Sequence, residues 1–495
     1  MRRKQQSSHL LQTTQSKAKM YEYAVPLESH IRLPNDPSEL LRLTIAILGD
    51  VAAKINRLSS EVHTSNVTLD QETKGNLIFG AQFFDAYIHS KIARNNEINH
   101  YLFLLGASAY YLCDQPGSAF VLANAITEDL ADLECNGLEN LLLWILKGDL
   151  HQDYGGSEGQ FGQFIDNCFL FYRNYFLSGK NYAELVNNIS KLRSQLYMSG
   201  TPRQLLFVDI LFAVIRKKTE NASWSVLSAY SGLPIQTWEN VLKKKSFIKE
   251  FWPAQHLIGQ RGVLRGQSAV IQMPTSAGKT KAVELILRSS FLSGRTSLAI
   301  IVAPFRALCH EIKDSLYKAF DGEDIDIDEL SDVLQMDFDL VDIFGINPEL
   351  FGMAPLNKRI VVITPEKLLY VLHHTPESAS QAGLVIFDEG HQFDNGSRGI
   401  TYELLLTSLK ILLPADIQKV LISAVMSNSQ SIAGWLNHND VVITGVNLIP
   451  SFKTVGFVSW RDLLGRIEYV SSNINESAYF VPRVIEPQQL KLIGR

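Results

Sequence analysis

From about Pro26 to Glu250, apolar residues recur at the three-to-four-residue spacing of amphipathic helices. Leu40, Leu41, Leu43, Ile45, Ala46 and Leu48 predict one helix dense in apolar positions, and the stretches 101–113 and 138–146 predict others. Asp114-Gln-Pro-Gly117 separates two such runs, 102–112 and 118–126, as the turn of a helical hairpin does. The spacing changes after Trp252. Short runs of Val, Ile and Leu now alternate with helical stretches, at 268–272, 297–303, 360–363, 384–387, 420–422 and 441–443. Runs that are apolar on both faces suit buried strands, and intervening helices make those strands parallel. The pattern predicts an all-α N-terminal domain followed by an α/β domain with a doubly wound parallel sheet. A ligand of such a sheet sits at the carboxyl edge of its strands.

Length and composition narrow this picture only slightly. A chain of 495 residues exceeds one ordinary core, so two or three domains are expected. With 46% hydrophobic and 20% charged residues the composition is that of a soluble globular protein, and no run has the apolar length of a membrane span. A formal charge of −5 excludes a polycationic surface, so any nucleic-acid contact must come from a local groove. Cys113, Cys135, Cys168 and Cys309 are widely spaced, without zinc-finger spacing, which reads as reduced thiols in a cytoplasmic protein. Residues 1–19 begin Arg2-Arg3-Lys4 and continue rich in Gln and Ser, without a signal-peptide core. They read as a basic flexible tail, with an electrostatic arm on nucleic acid as the lesser alternative. The small and aromatic residues Gly106, Ala107, Ala109, Tyr110, Tyr111, Ala119 and Ala123 resemble tetratricopeptide packing, though no period repeats. After the loop Gly155-Gly-Ser-Glu-Gly159, the aromatics of 161–176 fit a helical core better than a base-stacking surface. Residues 321–342 hold ten acidic residues and no Lys or Arg, and read as a solvated insertion rather than a metal cage.

Two strings carry chemistry. Met273-Pro-Thr-Ser-Ala-Gly-Lys-Thr280 lies where a strand meets a helix. Pro274 opens the loop, and backbone N–H groups of Thr275, Ser276, Ala277, Gly278 and the helix start can wrap phosphate oxygens. Lys279 can reach the β- and γ-phosphates of ATP, and the Thr280 hydroxyl can ligate Mg²⁺. The usual pattern places Gly where this chain has Met273. The second string, Val385-Ile-Phe-Asp-Glu-Gly-His391, delivers two carboxylates to the end of a strand. Asp388 would hold the metal, and Glu389 would orient and deprotonate the attacking water.

Asp388-Glu-Gly-His391 resembles the DExH box of superfamily 2 helicases, and further strings follow in that family's order. Pro253-Ala-Gln255 resembles the segment whose Gln reads adenine. Ala303-Pro-Phe-Arg-Ala-Leu308 with Glu311, and Ile363-Thr-Pro-Glu-Lys-Leu368, resemble motifs lining the nucleic-acid backbone groove. Arg398-Gly399 with Glu403 follows the box, and Ser423-Ala-Val-Met426 with Asn428 resembles motif III, with Val425 where Thr is usual. The order is most similar to the branch of repair and RNA-surveillance helicases and related bacterial anti-phage helicases, over about residues 251–450. The resemblance implies a P-loop NTPase (RecA-like) fold and ATP with Mg²⁺ as cofactors. It implies DNA or RNA, single-stranded, as partner, with Arg306, Thr364 and Pro365 touching the strand and Ser423 and Ala424 coupling the two sites. Physically, Arg306 opens a helix after a strand and can hold a phosphate. Thr364 ends another strand on the same edge and can do likewise, and Thr364 and Ser423 can instead simply cap helices. His391 can link γ-phosphate sensing to motif III or be structural.

The expected organisation is a tail (1–19), a helical domain (20–245), a RecA-like domain (246–450) and a short β-containing extension (451–495) leading toward a second RecA-like domain. Such helicases close ATP between two RecA-like domains with an arginine finger from the second, and no Gln-x-x-Gly-Arg-x-x-Arg string occurs here. The expected protein is an ATP-dependent helicase or translocase, weak alone, whose second half comes from a partner chain or a missing C-terminal part. A partner could also dock on the helical domain, and anti-phage defence is the expected setting. The rival expectation is an ATP-regulated binding subunit that unwinds nothing.

Overall fold

The structure, a computed structural model, describes residues 2–61, 69–92, 99–126, 133, 137–274, 278–330, 358–374, 382–391, 396–414, 417–424, 426–437, 441–445, 448, 450–461, 464–470 and 477–485. They fall into two compact units, residues 221–449 and residues 1–220 together with 450–495.

In the first unit, seven strands among the described residues form one parallel sheet. They are β1 (Ala269–Gln272), β2 (Leu298–Val302), β3 (Ile325–Leu330), β4 (Lys358–Ile363), β5 (Ala382–Phe387), β6 (Gln418–Ser423) and β7 (Val442–Thr444), in spatial order β3-β4-β2-β5-β6-β1-β7. Each expected apolar run lies on a strand, and β1, β2, β5 and β6 are almost wholly buried. Alternate residues feed two cores. Ile271, Ala299, Ile301, Ile360, Ile386 and Ile422 face one side, and Val270, Ile300, Val361, Val385, Phe387 and Leu421 the other.

The seventh strand, β3, corrects the reading of 321–342 as a solvated insertion. In its sequence Ile-Asp-Ile-Asp-Glu-Leu, Ile325 and Ile327 pack against one core, Leu330 on the opposite face is buried in the other, and Asp326 is exposed. Arg359 on β4 lies 3.7 Å from both Asp326 and Asp328. Acids along an edge strand also discourage pairing with another chain. Residues 331–342 lie outside the described residues.

The unit boundary falls after Glu220 instead of at 245. Helices Ser223–Ser231 and Ile235–Leu242 bury Leu227, Trp238, Val241 and Leu242 in the core that carries β1. The helix Lys279–Leu292 on the same side holds a fully buried arginine, Arg288, which donates to Glu284 (2.9 Å), Glu323 (2.7 Å) and the Ala319 carbonyl (2.6 Å).

The other unit is mostly helical. The hairpin around Asp114 is present as helices Asn99–Leu112 and Pro116–Asn124, and the aromatic stretch as helix Gly162–Ser178. Tyr172, Tyr175 and Phe176 are buried there, as core side chains are. Residues 450–495 belong to this unit and contribute three antiparallel strands, β8 (Val455–Arg461), β9 (Leu464–Val470) and β10 (Ser477–Ile485), with β9 central.

The flexible tail expected for residues 1–19 is instead part of a helix, Arg2–Glu22. Its Met20 is buried in one cluster with Tyr469, Tyr479 and Val481, and the Ser16 hydroxyl donates to the Phe480 carbonyl. A partner more than 450 residues away supplies the apolar surface that a polar-looking N-terminus lacks by itself. Cys113, Cys168 and Cys309 are buried free thiols, each pushed up by burial to about 12, and Cys135 lies outside the described residues. Among the described residues no helix is long and apolar enough to cross a membrane.

Candidate ATP and nucleic-acid site

Because the strands are parallel, the segments leaving their carboxyl ends share one edge, and the strand order sets their neighbours. Across β4-β2-β5-β6-β1 the edge presents Thr364, then Ala303 to Arg306, then Asp388 and Glu389, then Ser423, then the loop from Met273 to Gly278. Hydrogen bonds tie these exits together. Ala303 N–H donates to the Ile363 carbonyl (3.0 Å), Asp388 N–H to Val302 (2.9 Å) and Met273 N–H to Ser423 (2.9 Å). Residues far apart in sequence are thus held on a backbone frame.

Lys279 is the first residue of its helix, and Gly278 before it has φ +87°, a left-handed conformation that favours glycine. A Cβ on Gly278 would also come within 3.1 Å of the Gln255 amide nitrogen. Lys279 is 8% exposed, and its Nζ lies 3.0 Å from Glu389 Oε1, across β6 from its own strand. The other Glu389 oxygen is 3.2 Å from His391 Nδ1. Lysine, glutamate and histidine therefore form one chain at the sheet edge. Thr280 is exposed on the first helical turn, and Thr275, Ser276 and Ala277 lie outside the described residues. Pro274 is half-buried.

The turn carrying the acids is tight. Glu389 has φ +51°, unusual for a residue with a side chain. Gly390 must lack one, since a Cβ there would meet Leu421 at 2.3 Å. Burial first, and the Glu389 charge second, push the Asp388 carboxyl above its ordinary range, opposed by the hydrogen bond from Glu389 N–H (2.9 Å). A half-buried carboxylate held above its ordinary range, with the exposed Thr280 hydroxyl on the same edge, is a donor set suited to a hard divalent cation such as Mg²⁺. Among the described residues no group of three or more His, Cys, Asp or Glu side chains could hold a metal.

Removal of the Asp388 charge has a measurable consequence. A carboxyl raised in the folded state favours folding when protonated, so its ionised form costs stability at neutral pH. Asp388→Asn should therefore raise the thermal midpoint of this unit at pH 7. The gain should vanish below the ordinary aspartate pKa of about 3.9, where both states are protonated. Differential scanning calorimetry across pH checks this, and a lowered midpoint at pH 7 would contradict it.

Several expected residues take positions with consequences of their own. Gln255 is 4% exposed and accepts from Trp252 N–H (2.7 Å), closing the start of helix Pro253–Gln260 beside the phosphate loop. Arg306 is exposed at the first turn of helix Arg306–Ala319. Thr364 is 7% exposed, its carbonyl bonded to Leu368 N–H (3.0 Å), and Pro365 opens helix Pro365–His374 as a buried residue. Ser423 is fully buried at the end of β6 and Ala424 half-buried beyond it; Val425 lies outside the described residues.

Two residues escaped the sequence. The Gln272 amide, at the end of β1, donates to the Met426 carbonyl, and its oxygen lies 3.5 Å from the Thr444 hydroxyl. It joins the start of the phosphate loop to the segment after Ser423. Tyr402 donates to the Asp388 carbonyl (3.1 Å) from helix Gly396–Leu412, its phenol pushed up by burial and the nearby acids. A polar side chain ending an apolar strand was the only signal for Gln272, and Tyr402 gave none. Met273, standing where glycine is usual, is 1% exposed in the core, its Cγ 3.2 Å from where a Gly445 Cβ would lie.

A RecA-like parallel sheet whose carboxyl edge gathers a Gly-Lys-Thr helix start, an Asp-Glu strand end and a serine loop between them defines a P-loop nucleoside triphosphatase domain. Residues 253–432 match the model of the DEAD/DEAH box helicase family. The chain is 24% identical over 427 residues to the Hachiman protein HamB of Bacillus cereus, covering 80% of this chain and 36% of that protein. It is 28% identical over 243 residues to the ATP-dependent DNA helicase Hel308 of Thermococcus kodakarensis, covering 49% of this chain and 20% of that one. The Hel308 of Methanocella arvoryzae is 30% identical over 193 residues, 39% of this chain and 24% of its own. The chain thus spans between a fifth and about a third of the length of these relatives. Among solved structures, the DUF1998 helicase MrfA is similar at a TM-score of 0.33 and 18% identity, over 42% of this chain and 32% of that one.

Proposed function

We propose that the protein is an ATP-dependent helicase or translocase in which ATP hydrolysis at the sheet edge is coupled to binding of single-stranded DNA or RNA. The observation that carries this reading is the Lys279–Glu389 contact at 3.0 Å, which joins the phosphate loop and the acidic turn into one site. At rest the carboxylate neutralises the lysine. An arriving triphosphate would compete for the Lys279 ammonium, and Glu389, so released, would accept the proton of the attacking water. Asp388 and Thr280 would hold Mg²⁺, which supplies charge neutralisation on the phosphates. Gln255 would read adenine through its amide nitrogen, since its oxygen already caps a helix. Arg306 would hold the strand's phosphates, with the buried Thr364 contributing its backbone N–H and the buried Pro365 fixing the turn into the helix. Ser423, Ala424 and His391 would relay the state of the phosphate.

A second RecA-like domain completes the cleft in this reading and supplies the transition-state arginine, from the remainder of a longer polypeptide or from a partner. We place the protein in the cytoplasm, in anti-phage defence. The match to the Hachiman protein supports that setting because it covers 80% of this chain, reaching well beyond the helicase domain into the helical unit, whereas the Hel308 matches cover half or less.

Lys279→Ala should abolish ATP binding, measured by titration with a fluorescent ATP analogue, and unchanged affinity would remove the phosphate-loop assignment. ATPase rates with and without single-stranded DNA or RNA then separate motor from switch. Stimulation by nucleic acid supports the motor, whereas nucleotide binding without turnover under every condition supports an ATP-regulated binding subunit.

A further inference from the structure

The helical unit contains a cavity of about 290 Å³ between helices Arg2–Glu22 and Gln71–His89, far larger than one water needs. Gln15, Ala18, Lys19 and Glu22 line it from one helix, and Gln82, Asp85, Ala86 and His89 from the other. Both sets fall at i, i+3, i+4 and i+7, so each helix turns one stripe toward the other. Such stripes ordinarily interdigitate with apolar side chains. Here each has a single alanine among polar groups, while the same helices bury Met20, Phe83 and Phe84 elsewhere. The space is a partly open pocket lined equally by polar and apolar surface, with one aromatic wall formed by Tyr110, Phe452 and Tyr479.

The polar groups retain unused bonding capacity. One Asp85 oxygen lies 3.0 Å from His89 Nδ1, and the other accepts from the Tyr110 hydroxyl at 3.4 Å. A carboxylate has about four lone-pair sites, so two remain. Lys19 bonds Glu22 at 2.6 Å, one of the three donors of an ammonium. A carboxylate and an ammonium thus face one chamber from opposing helices, with two amide side chains beside them.

Among the bases, guanine alone sets two donors side by side, N1–H and the N2 amine, where a carboxylate can accept both. Its O6 and N7 acceptors, on the adjoining edge, suit a lysine. Adenine, cytosine and uracil each put an acceptor next to their donor on that edge, and it would face the carboxylate. The geometry points to a guanine-binding pocket: Asp85 accepts from N1–H and N2, Lys19 donates to O6 or N7, and the planar ring lies against the aromatic wall. The guanine comes either from a free nucleoside or nucleotide or from an unpaired base of a strand.

Calorimetric titration of the full chain with guanosine, inosine, adenosine, cytidine and uridine tests this. Guanosine should bind saturably, inosine more weakly because it lacks the N2 amine, and the others weakest. Asp85→Asn should lower guanosine affinity roughly 5- to 150-fold, the range of one bidentate base contact, and Ala86→Phe should fill the chamber and abolish binding. Guanosine binding should persist in Lys279→Ala, which separates this pocket from the ATP site, so failure of either assignment leaves the other standing. Should Asp85→Asn lose its thermal transition, Lys19→Met tests the other contact, to O6 or N7, from a partly exposed position and should weaken guanosine several-fold. Competition by an oligothymidine carrying one guanine identifies a strand base as the source, and its failure to compete identifies a free nucleoside or nucleotide. Equal affinities for guanosine and adenosine, or guanosine binding unchanged in both Asp85→Asn and Ala86→Phe, would overturn the proposal.

Discussion

Glu389→Gln should lower kcat for ATP by about 10²- to 10⁴-fold, the range a positioned general base contributes, without weakening nucleotide binding. The carboxylate 3.0 Å from Lys279 is both the proposed base and the lysine's resting counter-ion. Glutamine cannot take the proton from water, and it no longer holds the ammonium by charge, so ATP should bind as tightly as before or more so. Loss of turnover with unchanged or tighter binding is specific to this dual role, because a residue that merely shaped the loop would lose both together. Steady-state hydrolysis with nucleic acid present, alongside nucleotide titration, reads the two quantities separately. A kcat within a few-fold of the parent would exclude Glu389 as the base.

The second large effect concerns stability. Arg288→Ala should destabilise the parallel-sheet unit by roughly 3–5 kcal/mol, the cost of breaking a buried ion pair from one side. Arg288 is 1% exposed, lies over the Phe320 ring (4.2 Å) and that of Phe247 (5.6 Å), and bonds two acids and a carbonyl. Without it Glu284, 3% exposed, keeps only Lys281, at 2.9 Å. Arg288→Lys should rescue little, because an ammonium cannot span three acceptors with a planar fork or stack as well between two rings. Urea unfolding monitored by hydrogen exchange in β1 and β2 assigns the loss to this unit, and a change under 1 kcal/mol would show that the acids find other partners.

Legibility in the sequence followed the range of the interactions. The strands that became β1, β2, β4, β5 and β6 were visible because burial on both faces writes an uninterrupted apolar run. β3 was hidden because an edge strand needs only alternate apolar residues, and Asp326, Asp328 and Glu329 disguised the alternation as an acidic loop. The helix Arg2–Glu22 was hidden because its apolar residues are sparse and their partners on β9 and β10 lie far along the chain. The same division holds at the site. Lys279, Asp388 and Glu389 could be named because phosphate and metal chemistry demand those residue types at those spacings. Gln272 and Tyr402 could not, since each acts by donating to a main-chain carbonyl, which any polar residue in the right place could do.

The helix Arg2–Glu22 and strand Ser477–Ile485 share one cluster, and in sequence the parallel-sheet unit is inserted between the two parts of the unit they close. On the ribosome that order matters. At about 5–20 residues per second, the first helix waits on the order of half a minute or more for its strand. Residues 221–449 have meanwhile all been synthesised. The parallel-sheet unit can therefore mature first, and the helical unit must keep its unfinished apolar surface from aggregating until β9 and β10 emerge.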